Sequence, residues 1–203
     1  MITIAFYVRI ILGDSMELEK EVRYKINDEQ KEKILLLAAE SKKKEQMLDI
    51  TCGFEGFDSL SKLGYICRVR QKGNKKTLEV KNYSNENECV EETIELDKLS
   101  TGVNYLKLIG MKPYLYLCRT REIRKFNDLK VVIDELDLLG DYVEIEYQDS
   151  KDSENELQEF RKLIGIINEP ADKYGDIVKK LLETDNSFQE KFNDNLEKIL
   201  VKY

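Results

Sequence analysis

Several stretches of this chain alternate between apolar and charged residues, and in each the charges stand two positions apart. Glu19, Glu21, Arg23 and Lys25 alternate with Val22, Tyr24 and Ile26, with Lys20 the one exception. Arg68 and Arg70 alternate with Cys67 and Val69, and Glu79 and Lys81 with Leu78 and Val80. Arg119 and Arg121 share a phase, as do Glu144 and Glu146, whose opposite phase is Val143, Ile145 and Tyr147. Residues two apart in a strand point to one face. Each stretch therefore reads as a strand with one apolar and one charged face. The chain must find a core for the first and partners for the second.

Between these strands the chain reads as follows. Asn27-Asp28 offers an N-cap for a helix over residues 28–48, with Ile34, Leu35, Leu37 and Ala38 as its stripe. Residues 47–54 read as a strand, 59–62 as a short turn or helix closing at Gly64, and Lys72-Gly73-Asn74 as a hairpin turn. Glu86–Glu88 is a polar turn. Residues 89–96 form a strand of ambiguous phase, in which either Glu91 or Glu92 joins the charged face. A short helix over 97–110 ends in glycine, and a strand over 114–124 follows. Residues 131–146 are two strands joined at Leu139-Gly140-Asp141, a turn that brings Asp134 near Glu144 and Glu146. The period then becomes helical over 153–167, from Pro170 to about 182, and from Phe188 to the end. Seven or eight mostly antiparallel strands punctuated by helices make an α+β fold on a large sheet or closed barrel.

Composition removes whole classes of chemistry. The chain of 203 residues has no histidine, which excludes histidine acid/base work, His-Cys zinc sites and Ser-His triads. Its net charge of -7 argues against nucleic acid as a partner. The four cysteines form no CxxC and read as reduced thiols of a cytoplasmic protein. Residues 2–12 are apolar but interrupted by Arg9 and too short to span a bilayer. They read as an extra strand or as sequence upstream of a start at Met16, so no membrane association is expected.

If the sheet closes with its apolar face outward under the helices, the charges line a lumen. Burying them unpaired costs several kcal/mol per ion. A wet interior holding a polyanion and metal ions resolves this. Arginine grips phosphate oxygens bidentately. Carboxylates suit Mg²⁺ or Mn²⁺, hard cations that prefer oxygen.

The order ExExR, RxR, ExK, a second basic pair, an Asp strand and LGxxxExE resembles the CYTH domain. That family, also called triphosphate tunnel metalloenzymes, comprises class IV adenylate cyclases, thiamine triphosphatases and inorganic triphosphatases. The likeness covers residues 17–147 and, more weakly, 157–182. It implies an eight-stranded antiparallel barrel, a tunnel with helices packed outside and a helical C-terminal segment. On this reading 16–183 is the tunnel domain, 1–15 an N-terminal extension and 184–203 an amphipathic helix. Dimerisation through that last helix is open. The implied metal ligands are Glu19, Glu21, Asp134, Glu144 and Glu146. The implied triphosphate-binding residues are Arg23, Lys25, Arg68, Arg70, Lys81, Arg119 and Arg121. Arg23 and Arg119 stand where the family usually has lysine. Asp49 stands where the family often has an Asp before an aromatic residue, but Ile50 and Thr51 follow it here.

The implied reaction is phosphoryl transfer, which needs positioning and charge neutralisation above all. Lys81 and Glu144 are the candidate catalytic residues. Without histidine the base is a metal-activated water or a lysine such as Lys81. A cyclase must also hold adenine, and no adenine-reading signature is visible. A triphosphatase is therefore favoured over an adenylate cyclase. A non-catalytic polyphosphate binder would keep the basic pairs without needing Asp134, Glu144 and Glu146 together.

Overall fold

The computed structural model describes residues 19–58, 65–85 and 88–203. The expected extension at 1–15 and the turn or helix at 59–62 lie outside these residues, as does most of the turn at 86–88. The strands are β1 (Glu19–Lys25), β2 (Ala39–Gly53), β3 (Tyr65–Lys72), β4 (Lys75–Asn85), β5 (Glu88–Glu95), β6 (Lys112–Phe126), β7 (Leu129–Leu136) and β8 (Gly140–Gln148). The helices are α1 (Asp28–Leu37), α2 (Leu99–Leu108), α3 (Lys151–Ile164), α4 (Tyr174–Thr184) and α5 (Asn186–Lys202), with a 3-10 turn at Gly56–Asp58. The fold is α+β. The strands hydrogen-bond in the order β1-β8-β7-β6-β2-β3-β4-β5. That order is linear, so among the described residues the sheet is not closed, and the barrel implied by the resemblance is not observed.

The chain groups into two compact units, one drawn from residues 1–46, 84–90 and 119–171, the other from 47–83, 91–118 and 172–203. The long strands β2 and β6 contribute to both.

In the first unit β8 pairs antiparallel with β1 and β7, and β7 with β6. Val22, Tyr24, Val131, Ile133, Val143 and Ile145 share one face and are buried against Ile34 of α1 and Leu157, Phe160 and Ile164 of α3. Lys20, the odd residue on that face, turns its ammonium to Asp149 at 2.6 Å and Glu154 at 3.0 Å. α1 starts as its sequence indicates: Asn27 accepts from the Gln30 N–H, and the Gln30 side chain accepts from the Asn27 N–H. It ends at Leu37, not at 48. Residues 39–46 have the composition of a helix but are the first half of β2, because strand pairing overrides propensity. Arg124 fixes the break by donating to the Leu35 and Ala38 carbonyls at 3.1 and 2.6 Å. Of the expected stripe Ile34 and Ala38 are buried, whereas Leu37 is exposed. α3 runs from the Ser150 cap to Gly165, whose φ of 77° suits glycine after a helix. The next helix begins at Tyr174 and not at Pro170. The Ala171 N–H donates to the Arg23 carbonyl at 2.7 Å and keeps that segment extended beside β1. The β7–β8 turn sits slightly earlier than expected, at 137–139, with Gly140 opposite Leu136 in β8 and φ 85°.

In the second unit β3 pairs with the second half of β2 and with β4. Leu48, Ile50, Cys67, Val69 and Leu78 are buried against Leu99, Val103 and Leu106 of α2. Gly102 lets α2 approach closely: a Cβ there would stand 3.0 Å from both Val69 methyls. α5 packs here too, with Phe192 stacked on Tyr116 at 4.8 Å and Ile199 and Leu200 against the core.

Candidate functional site

The face of the first unit turned away from its core carries charge. Register sets Glu21 opposite Glu146 and Arg23 opposite Glu144 across β1–β8. It sets Lys130 opposite Glu146 across β7–β8, and Arg121 opposite Asp134 across β6–β7. Opposed residues share a face, so these side chains meet. The Arg23 guanidinium bridges two acids: its Nη2 donates to Glu21 at 2.5 Å and to Glu144 at 2.6 Å. Arg121 forks onto both oxygens of Asp134 at 2.7 and 2.6 Å, and Arg119 stands 3.7 Å from the same carboxylate. Lys130 donates to Glu146 at 2.5 Å. Asp134 is fully buried and Glu144 is 5% exposed. Lys25, at the outer end of β1, is exposed and lies 6.0 Å from the Tyr142 ring centre.

These acids crowd one another. Burial first, then the Glu144 and Glu146 charges and a hydrogen bond shared with Glu144, push the Glu21 carboxyl up to about 7, against the downward pull of Arg23. At neutral pH Glu21 thus keeps a proton part of the time.

The second unit holds a separate set. Arg70 forks onto Asp49, its direct partner across β2–β3, at 2.6 and 2.9 Å. Arg68 donates through Nε to Glu79 at 2.9 Å and through Nη2 to the same oxygen. Thr77 Oγ1 donates to the other Glu79 oxygen at 3.0 Å. Lys81 pairs with Glu91 at 2.8 Å, which resolves the phase of β5 in favour of Glu91. Burial raises the Glu91 carboxyl, but the Lys81 hydrogen bond and the charges of Lys81, Arg68 and Arg70 outweigh it and lower it.

The structure thus brings Glu21, Arg23, Asp134, Glu144, Glu146, Arg119 and Arg121 together in one unit, and Arg68, Arg70 and Lys81 in the other. The Glu19 side chain lies outside the described residues. Among the described residues no three acids converge as a ready-made metal cage. Instead, arginines stand against the carboxylates that the sequence assigned to a metal. Asp49 and Glu79 are not among the site residues that the resemblance implies. Glu79 is signalled by its alternation with Leu78 and Val80, whereas Asp49 meets Arg70 only through the β2–β3 register. No described helix is long and apolar enough to cross a membrane.

A family model described as the CYTH domain matches residues 17–175. Comparison with curated proteins gave no match. Among solved structures, the PH1819 protein of Pyrococcus horikoshii is 24% identical, with a TM-score of 0.63 over 81% of this chain and 98% of that one. A candidate adenylate cyclase from Vibrio parahaemolyticus is 16% identical, with a TM-score of 0.59 over 80% and 98%. HpAC1 from Hippeastrum, described as a candidate adenylyl cyclase with a dominant triphosphatase activity, is 17% identical, with a TM-score of 0.56 over 80% and 94%. At these identities the likeness is one of fold.

Proposed function

The chain belongs to the CYTH domain family, and from that premise we propose that it is a divalent-metal-dependent enzyme that hydrolyses a triphosphate. The observation that carries the reading is the pairing of buried acids with arginines on the non-core face of the strands in both units. Such a face is costly in a purely structural sheet. It suits a site whose ligands bring both positive and negative charge.

The residues fit a hard divalent cation. Glu21, Glu144 and Glu146 offer only oxygen, on adjacent strands, with Glu21 directly opposite Glu146. The proton that Glu21 retains near neutrality marks an acid cluster short of positive charge. Asp134 and Glu19 complete the proposed metal-side set. When bound, the cation would offset charge developing on the transferred phosphoryl group. Arg68, Arg70, Arg119 and Arg121 would hold phosphate oxygens in fixed orientation. Arg23 and Lys25 would do so from β1. Lys81, already ion-paired with Glu91, suits phosphate binding better than proton abstraction. Glu144, buried between Arg23 and Arg121, orients both guanidinium groups at 2.6 and 3.7 Å.

Hydrolysis is favoured over cyclisation because the sequence carries no adenine-reading signature and because the Hippeastrum relative is described by its triphosphatase activity. The Vibrio relative keeps adenylate cyclase as the second reading. The test incubates the protein with Mg²⁺ or Mn²⁺ and tripolyphosphate, ATP or thiamine triphosphate, following phosphate and cyclic AMP. Phosphate release is expected, and Glu144→Gln is expected to abolish it while weakening Mn²⁺ binding. Absence of turnover on all three substrates, with Glu144→Gln binding Mn²⁺ like wild type, would remove the enzymatic reading.

A further inference from the structure

We infer that Asp49 is a positioning residue that fixes the Arg68–Arg70 pair in the orientation that meets phosphate; this rests on the proposed function above. Asp49 is 2% exposed. Its two oxygens accept from Nε and Nη2 of Arg70, so the fork is closed on one side and the guanidinium cannot turn. Arg68 Nη1 stands 3.8 Å from the same carboxylate, and Arg70 Nη1 stands 3.4 Å from Glu79. The acids are the buried members of this set. The arginine side chains, 20% and 19% exposed, are the members that reach solvent. Carboxylates beneath and guanidinium groups above is the order required of a phosphate grip built in advance.

The same aspartate fork recurs in the other unit, where the first arginine, Arg119, is itself buried. Arg121 is the second arginine of its pair, lies directly opposite a buried aspartate, and forks onto it at 2.7 and 2.6 Å. The first arginine, Arg119, stands 3.7 Å from that aspartate, as Arg68 stands 3.8 Å from Asp49. Two basic pairs on different strands are each held by one buried aspartate on the second arginine. A lone stabilising ion pair would have no reason to repeat this register.

Two effects of Asp49 oppose each other. Its charge lowers the local positive potential and so weakens anion binding. Its fork removes the rotamer freedom that an arginine would otherwise lose when it grips a ligand. If positioning wins, Asp49→Asn and Asp49→Ala weaken binding; if charge wins, both tighten it.

The experiment titrates tripolyphosphate by calorimetry, with Mg²⁺ and at fixed ionic strength, into wild type, Asp49→Asn, Asp49→Ala and Arg70→Lys. The folded state of each is checked by thermal melting. Asp49→Ala is expected to weaken binding by about tenfold or more. Asp49→Asn should recover part of that, since its amide oxygen still accepts one N–H. Arg70→Lys keeps the charge but loses the fork, and should fall by a similar factor. It keeps the test decisive if the Asp49 variants do not fold. With a substrate that turns over, the loss should appear mainly in KM. If wild type binds tripolyphosphate while Asp49→Asn or Arg70→Lys binds it equally well or better, positioning is overturned and the proposed function stands. If wild type itself does not bind tripolyphosphate, the positioning inference falls, and the proposed function is decided by turnover of ATP and thiamine triphosphate.

Discussion

In protein stripped of divalent ions, Glu21→Gln is expected to leave stability unchanged at pH 4.5 and to raise it at pH 8. The Glu21 carboxyl moves from an ordinary 4.5 to about 7 on folding. Its protonated form is therefore the one the fold prefers. The stability tied to that proton is fully present below pH 4.5 and is lost as pH rises through about 7. The interval from 4.5 to about 7 is about 2.5 pH units, and at about 1.36 kcal/mol per unit the wild type forfeits about 3 kcal/mol. The Glu21 side chain is 23% exposed, and solvent screening of that part brings the expected difference to about 1–3 kcal/mol. Glutamine mimics the protonated acid and forfeits nothing. The ion pair from Arg23 at 2.5 Å pulls the other way, but burial and two neighbouring acids outweigh it. The assay is urea unfolding with a chelator at pH 4.5, 6, 7 and 8 for both proteins. A gap between them that does not change with pH, or a variant less stable than wild type at pH 8, would refute the reasoning.

Two further substitutions test the packing that carries the site. Arg124→Met removes the ion pair to Glu122 at 2.6 Å and the donors that close α1. Because Glu122 is buried, urea unfolding should show a loss of about 3–5 kcal/mol, largely recovered by adding Glu122→Met. Gly102→Ala gains about 1 kcal/mol of helix propensity but sets a methyl 2.7 Å from Leu96 and 3.0 Å from Val69, at an overpacking cost of about 1–3 kcal/mol. A net loss of stability is expected, together with weaker tripolyphosphate binding, since Val69 lies between Arg68 and Arg70. A stabilised variant would show that α2 packs more loosely than described.

The period of two revealed the strands, their core faces and the existence of a charged face, because burial of Val131, Ile133, Val143 and Ile145 leaves only one phase for Asp134 and Glu144. It could not reveal who partners whom. That depends on register between strands far apart in sequence, as when Arg23 meets Glu144. Asp49 went unassigned because a single acid among apolar residues carries no periodic signal of its own. Glu122 and Arg124 show the opposite failure. They also stand two apart, but in the phase after Arg121, and they lie on the side of α1, where their charges brace a helix end. Residues 39–46 misled because AESKKKEQ has helix-forming composition, and only its pairing in the sheet decides otherwise.

Arg23 makes the proposed ligands interdependent. In the free protein its guanidinium is the cation shared by Glu21 and Glu144. A divalent ion held by those carboxylates would leave the guanidinium without its partners, and a phosphate would satisfy it. A phosphate held by the guanidinium would in turn uncover the carboxylates for the ion. Each ligand alone leaves an uncompensated charge in a mostly buried place, whereas the two together leave none. By linkage, each tightens the other by the same factor. The species this protein would recognise is therefore the metal–triphosphate complex, and free metal and free triphosphate would compete poorly with it.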